Sequence, residues 1–307
     1  MNLAFFGTSE FAVPALHAVD DVYGIKLVVT QPDRPAGRHA KLLPSPVKQA
    51  ALERGLPLIQ PKNINHPEGV GYLANLSLDA IVVASYGQLL KSVVFDLPRL
   101  GTINIHASLL PAYRGAAPVN WAIMNGEKRT GITTFFIEKG LDTGDILLLE
   151  SLDIGPEETS TELEHRLAAL GADVIVKTLK GLADGSLTAT RQPADGVSLA
   201  PSLTREHGRI DWHQPAARIH NLIRGTVPWP GAWTSYDDHR IKIHQARMTD
   251  LPSGILKPGE IGPSETNRLL IGTQDTLLEL LKVQRECKSC VNGCDFLHGI
   301  HLPASFV

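Results

Sequence analysis

Asn104 and His106 stand two residues apart in the run TINIHA, and a turn-forming SLLP follows at residues 108–111. Successive side chains along a strand point to opposite faces, so these two share one. The Asn amide donates a hydrogen bond without any protonation event, and the His donates when protonated or moves a proton near neutral pH. A third group comes from EKGLDTGDILLLE, where Asp142 lies in a Gly-flanked turn between two strand candidates and can fold over the same strand end. Asn, His and Asp together suit acyl transfer: donors for a developing oxyanion, with a carboxylate to orient and polarise the imidazole. No G-x-S-x-G elbow occurs, so direct attack by a substrate amine is simpler than a covalent acyl-enzyme. Each residue also has a plainer use, a satisfied structural His at a strand end or an Asp closing an Asx-turn. The sequence alone does not join the three in space.

The elements that would position them follow from periodicity. NLAFFG, IKLVVT, AIVVAS, TINIHA and GITTFFIE read as strands, and FAVPALHAV and SPVKQAALERG read as helices between them. That alternation predicts an α/β, Rossmann-like parallel sheet covered by helices, whose strand ends are where ligands bind. A long amphipathic helix is predicted from residue 160, with Thr159 and Ser160 as cap candidates and Gly185 as its stop. The stretch SLTATRQPADGVSLAPSLTREH has no sustained apolar period and reads as a linker. Beyond it, the helix-like PAARIHNLIRG precedes WTSYDD, RIKIHQARM, GEIG, RLLIGT and TLLELLKV, which predict a small, mostly β, OB-like barrel. The expected domains are residues 1–188, a linker at 189–207, and 208–307.

The bulk properties narrow the classes. With 29 Lys and Arg against 32 Asp and Glu the net charge is −3, so nucleic-acid contact would need a local basic patch. No apolar run approaches the roughly 20 residues of a membrane span. MNLAFFGTSEF lacks the basic start and small-residue cleavage site of a secretory signal, so a cytoplasmic location is expected. Gly7 before a helix is either an anion-facing turn or a packing glycine, and without G-x-G-x-x-G a dinucleotide site is disfavoured.

These motifs resemble those of the methionyl-tRNA formyltransferases, within the wider group of 10-formyltetrahydrofolate-dependent formyltransferases. The resemblance is carried by FFGTSEFAVPAL, VTQPDRPAGR with LLPSPVK, NIHASLLPAYRGAAPVNWAI, TGITTFFIEKGLDTGDIL, RIDW and IRGTVPWPGAW. It implies Asn104, His106 and Asp142 as the catalytic set. Ser108, Leu109, Leu110 and Pro111 would form a folate-contacting loop, with Tyr86 and Gly87 in a segment packing along the pterin. It further implies formyl transfer from 10-formyltetrahydrofolate to the α-amine of initiator methionyl-tRNA, supporting translation initiation, with no metal or nicotinamide and no membrane. A monomer is the expected state.

The catalytic motifs are shared with formyltransferases that act on amino sugars and other small amines, so the acceptor rests on the basic stretch QPDRPAGRHAKLLPSPVK and the second domain. There Arg34, Arg38, Lys41 and Lys48 would meet tRNA phosphates. A non-catalytic RNA-binding module on the same fold is a further alternative, against which the intact trio counts. Trp229 and Trp233 are expected as core and interface residues in preference to base-stacking platforms, and Arg114 either binds an anionic ligand group or braces its loop. The tail departs from the family pattern: ECKSCVNGC followed by His298 and His301 carries C-x2-C-x3-C without a second ligand half, and reduced thiols are expected there.

Overall fold

The computed structural model describes residues 1–36, 41–237, 239–263, 267–300 and 304–307. Packing divides the chain into two units. The first comprises Met1–Pro118, Arg129–Leu152 and Glu164–Ala200; the second comprises Val119–Lys128, Asp153–Leu163 and Pro201–Val307.

In the first half of the chain the strands are β1 (Leu3–Gly7), β2 (Leu27–Val29), β3 (Arg34–Ala36), β4 (Lys41–Leu43), β5 (Leu58–Ile59), β6 (Ala80–Ala84), β7 (Thr102–His106), β8 (Arg114–Gly115), β9 (Arg129–Phe136) and β10 (Ile146–Asp153). Among them run the helices α1 (Val13–Tyr23), α2 (Pro46–Glu53), α3 (Pro67–Ala74), α4 (Ser92–Phe95) and α5 (Pro118–Met124). A 25-residue helix α6 (Ser160–Asp184) follows β10, and Gly185 after it has φ 74°. Helix α2 starts where its sequence says, the Ser45 hydroxyl accepting from the Lys48 amide at 3.1 Å.

Seven strands form one sheet in the order β10-β9-β7-β6-β1-β2-β5. Every residue of β1 and β6 is buried, as expected for strands covered on both faces. The pairs β1–β2, β1–β6, β2–β5 and β6–β7 are parallel. The expectation of a parallel sheet needs one correction: β9 lies antiparallel to β7, with His106 opposite Thr133 and Asn104 opposite Phe135. Alternating β-branched residues look the same in either direction, so periodicity could not report this, and mixed sheets with antiparallel flanking strands are common. Gly7 is a packing glycine, because a Cβ there would come within 2.9 Å of the Ala12 Cβ.

The strand β11 (Leu199–Ala200) completes the first unit's chain. The second unit holds α7 (Ala216–Gly225), β12 (Ala232–Tyr236), β13 (His239–Pro252), β14 (Leu270–Gly272), β15 (Thr276–Arg285), β16 (Cys290–Asn292) and α8 (Gly293–Leu297). Its described strands pair antiparallel, β13 against β12 and β15, and β15 against β14 and β16. Register shifts along β13 mark the bulges that let so long a strand bend. Ile210, Trp212, Ile219, Ile223, Ile241 and Leu280 are among its core residues. Glu279 is buried in β15 and neutralised from two sides, by Arg268 at 2.7 Å and Arg247 at 2.8 Å, so its carboxyl is held below the usual range. No described helix is long and apolar enough to cross a membrane.

Candidate active site

The parallel pairing of β6 and β7 brings their C-terminal ends to one edge of the sheet, and the candidate residues gather there. In β7 the side chains of Ile103 and Ile105 are buried on one face, while Asn104 and His106 share the other. The Asn104 amide, half-buried, makes no hydrogen bond among the described residues, so its donors are available to a ligand.

His106 is 6 % exposed, and its Nε2 lies 2.9 Å from the Tyr113 carbonyl oxygen. A carbonyl only accepts, so Nε2 carries the proton in the neutral ring and the lone pair is left on Nδ1. Nδ1 faces the Asp142 Oδ2 at 3.8 Å, an ion-pair distance too long for a hydrogen bond. That same Oδ2 accepts from the Gly115 amide at 2.8 Å, which fixes the carboxylate in place. Burial pushes the His106 pKa down; the Asp142 charge and the Tyr113 carbonyl pull it up without cancelling the burial, and the net is below the ordinary value. The imidazole is therefore neutral at physiological pH, with a basic nitrogen beside a carboxylate that stabilises it once protonated.

Two backbone positions make this arrangement possible. Tyr113 and Asp142 both adopt left-handed φ, 60° and 51°, which turns the Tyr113 carbonyl and the Asp142 turn toward the imidazole. Gly115, at φ 128°, could not be another residue, since a Cβ would fall 2.5 Å from the Ala200 carbonyl oxygen.

The SLLP loop is pinned from beneath. Ser108 is fully buried and donates to the Ala112 carbonyl at 2.7 Å. Thr133, on β9, donates to the Ser108 carbonyl at 2.6 Å and accepts from the Leu110 amide at 3.1 Å. Leu110 is buried, whereas Leu109 and Pro111 are partly open. Gly87 is exposed with φ 83°. Tyr86 behaves differently from a ligand-facing ring: it is 2 % exposed, packs edge-on against Phe6, and its hydroxyl has no partner among the described residues. Burial raises its phenol pKa above the ordinary value. Its carbonyl accepts from Thr8 Oγ1 at 2.8 Å and Gln31 Nε2 at 3.2 Å.

The basic stretch is only partly free. Arg34 is exposed on β3, with one nitrogen 3.4 Å from Gln31 Oε1. Lys48 is committed to Asp33, with Nζ to carboxylate oxygens at 2.7 and 2.9 Å. Lys41 is placed on β4, and Arg38 lies outside the described residues. In the tail, Cys287 and Cys290 are exposed and free, and no described group of three or more His, Cys, Asp or Glu is arranged to hold a metal; His301 lies outside the described residues. Trp233 is buried at 9 % exposed, as expected, but Trp229 is 58 % exposed and is no core residue. Trp229 precedes β12, where no strand alternation decides which way it faces.

Sequence reasoning missed three contributors: the Tyr113 carbonyl, Thr133 and Gln192. The last, from the stretch expected as a linker, receives Arg114 Nε and Nη2 on its Oε1 at 3.1 and 2.6 Å. Arg114 thus braces its loop.

Comparison with known proteins shows the family. The formyl transferase family profile matches residues 1–179, and the formyl transferase C-terminal domain profile matches residues 202–301. A methionyl-tRNA formyltransferase of Solibacter usitatus is 47 % identical over 98 % of this chain and 96 % of its own length. One from Koribacter versatilis is 48 % identical over 97 % of this chain and 96 % of its own. Among solved structures, the Helicobacter canadensis N-formyltransferase in complex with folinic acid and dTDP-3-aminofucose superposes with a TM-score of 0.69 at 18 % identity. It covers 91 % of this chain and 98 % of that one, a likeness of fold. With both family profiles matched in order and full-length relatives near one-half identity, the chain belongs to the methionyl-tRNA formyltransferase family of formyl transferases.

Proposed function

We propose that this chain transfers the formyl group of 10-formyltetrahydrofolate to the α-amine of methionine esterified to initiator tRNA, preparing that tRNA for translation initiation. The observation that carries the proposal is the full-length likeness to proteins named for that reaction. The free Asn104 amide and the His106–Asp142 pair at one strand end supply the chemistry.

In this reaction the methionyl nitrogen, having shed its ammonium proton, forms a bond to the formyl carbon. Negative charge develops on the formyl oxygen, and collapse breaks the bond to folate N10, which leaves with the proton that His106 took from the attacking nitrogen. Asn104 donates to the oxyanion, a role worth about 3 to 4 kcal/mol of barrier for a well-placed donor. His106 Nδ1 takes the proton from the attacking nitrogen, Asp142 holds the imidazole in place and stabilises the imidazolium, and the protonated ring adds a second donor toward the oxyanion. Oxidation states do not change, so a nicotinamide has no part. The 108–111 loop and the exposed backbone at Gly87 form walls for the folate, with Tyr86 buttressing that wall from the core. Arg34, Arg38 and Lys41 meet tRNA phosphates, and Lys48 contributes less because Asp33 already pairs with it. We assign a monomer, working in the cytoplasm where charged initiator tRNA is found.

The test is a formyl-transfer assay with 10-formyltetrahydrofolate and methionyl initiator tRNA, run beside uncharged tRNA, methionyl elongator tRNA and an amino-sugar nucleotide. Formylation of the initiator species is the expected result. Turnover only on the small amine would overturn the acceptor and leave the trio's chemistry standing.

A further inference from the structure

His106 is held between two groups, and one segment far away in sequence grips the backbone of both. On the Nε2 side stands the Tyr113 carbonyl; on the Nδ1 side stands Asp142. Ser198 Oγ accepts from the Tyr113 amide at 2.9 Å, and the Ser198 carbonyl accepts from the Arg114 amide at 2.9 Å. Strand β11 then pairs in parallel with β8, Leu199 beside Arg114 and Ala200 beside Gly115. At the other end of the segment, Thr190 exchanges two backbone hydrogen bonds with Ile146, both at 2.8 Å.

Between these anchors lies Gln192, 8 % exposed, with every hydrogen-bonding direction of its amide used on the site. Its Nε2 donates to the Asp142 carbonyl and to the Gly144 carbonyl, both at 2.8 Å. Its Oε1 accepts twice from the Arg114 guanidinium. A surface linker has no need of a buried amide satisfied four times over by two other segments, and buried polar networks of this kind fix a geometry.

We propose that Gln192 is a positioning residue for formyl transfer, latching the Asp142 turn to the Tyr113–Gly115 segment so that Asp142 stays opposite His106 Nδ1. The inference rests on the assignment of Asn104, His106 and Asp142 as the catalytic trio. Asp142 has left-handed backbone and lies in a turn between strands, so its place is set by what holds that turn's carbonyls; two of them end on Gln192. Around the imidazole, Asp142 is the ionised group acting on it, Phe135 from β9 presents an apolar ring edge, and the Arg114 guanidinium is directed to Gln192.

The test follows the His106 imidazole titration by 15N NMR in the full-length protein without substrates, the signal being assigned by its loss in His106→Phe. Asp142→Asn removes the charge that opposes burial, so the titration midpoint moves to lower pH. Gln192→Met, of similar size but without hydrogen bonds, is expected to move it in the same direction. Gln192→Leu, likewise neutral and without hydrogen bonds, should match Gln192→Met; Arg114→Met leaves both donations intact and should shift less. In turnover, Gln192→Met should lower kcat about 100-fold, the cost of displacing a reacting group by roughly an ångström, with little change in KM for tRNA. Thermal melts report folding, and if the Met variant does not fold, the Leu variant carries the same comparison. A midpoint unmoved in the Gln192 variants, whether or not Asp142→Asn shifts it, overturns the proposal. The titration needs no acceptor, so failure of the wild-type protein to formylate tRNA would sink the proposed reaction and be seen separately.

Discussion

Replacing Thr133 by Val tests how the SLLP loop is built. The change is nearly isosteric, so the core around β9 keeps its shape while the hydroxyl disappears. That hydroxyl serves two backbone groups at once, accepting from the Leu110 amide at 3.1 Å and donating to the Ser108 carbonyl at 2.6 Å. Thr133 and Ser108 are fully buried and Leu110 nearly so, so water cannot take over either bond. A buried backbone group left without a partner costs about 1 to 3 kcal/mol, so two of them predict a loss of about 2 to 4 kcal/mol after some loop relaxation. Thr133→Ser keeps both bonds and forfeits a methyl, about 1 kcal/mol. The assay is urea unfolding of the whole protein, followed by far-ultraviolet circular dichroism, with KM for the folate measured in parallel. The expected order of stability is wild type, Ser, then Val, and only Val should raise the folate KM clearly. A Val variant as stable as the Ser variant, with an unchanged folate KM, would refute the account of the loop.

Three further outcomes are expected. His106→Ala and Asp142→Asn should each cut turnover about 100- to 10,000-fold without loss of secondary structure, since His106 is the proposed base and Asp142 the carboxylate proposed to position and stabilise it; near-normal turnover in either variant would remove that residue from the mechanism. The His106 pKa is depressed in the folded state, so below the unfolded value of about 6.5 the unfolded chain binds the extra proton and folding weakens as pH falls. The urea midpoint should therefore drop between pH 7.5 and 5.5 less steeply in His106→Gln than in wild type, and the acid limb of kcat should lie below the ordinary His range; equal slopes would contradict this. Arg34→Ala should weaken tRNA binding and lower the slope of affinity against salt by about one counterion, whereas Lys48→Met should do less because Asp33 already neutralises it. Equal effects of the two would show that the ion pair opens on binding.

What the sequence made legible depended on whether the signal was local. The β-branched runs AIVVA and TINIH became buried neighbouring strands, and the capped, amphipathic stretch from Ser160 ended at Gly185 as its composition required. Alternation put Asn104 and His106 on one face, and the glycines around Asp142 marked a turn able to reach them. The direction of β9 was not legible, because alternation has no polarity. Neither were β8 and β11, two residues each, whose pairing joins positions some 85 residues apart and leaves no period. Gln192 was invisible for the same reason: a polar residue in an unpatterned stretch gains meaning only when Asp142, 50 residues earlier, is folded against it. Tyr113 contributes through its carbonyl, a group every residue has. Only its left-handed φ singles it out.

The division of the chain into interleaved packing units bears on any attempt to recombine it. Residues 119–128 and 153–163 belong with the C-terminal residues, although both lie inside the stretch matched by the N-terminal family profile. Within that unit the Asn120 amide donates to the Gly225 carbonyl at 2.8 Å, Trp121 Nε1 to the Pro201 carbonyl at 2.9 Å, and the buried Arg224 guanidinium to the carbonyls of Gly155 and Glu158 at 3.2 and 2.9 Å. A graft that exchanges the C-terminal third at a single junction near residue 200 would leave each of these contacts to be rebuilt between segments of different parents. The second packing unit is therefore not a cassette that evolution or an engineer can swap with one crossover. It is inherited in three pieces, two of them lying before residue 164, and a chimera that keeps its contacts native must carry all three from the same parent.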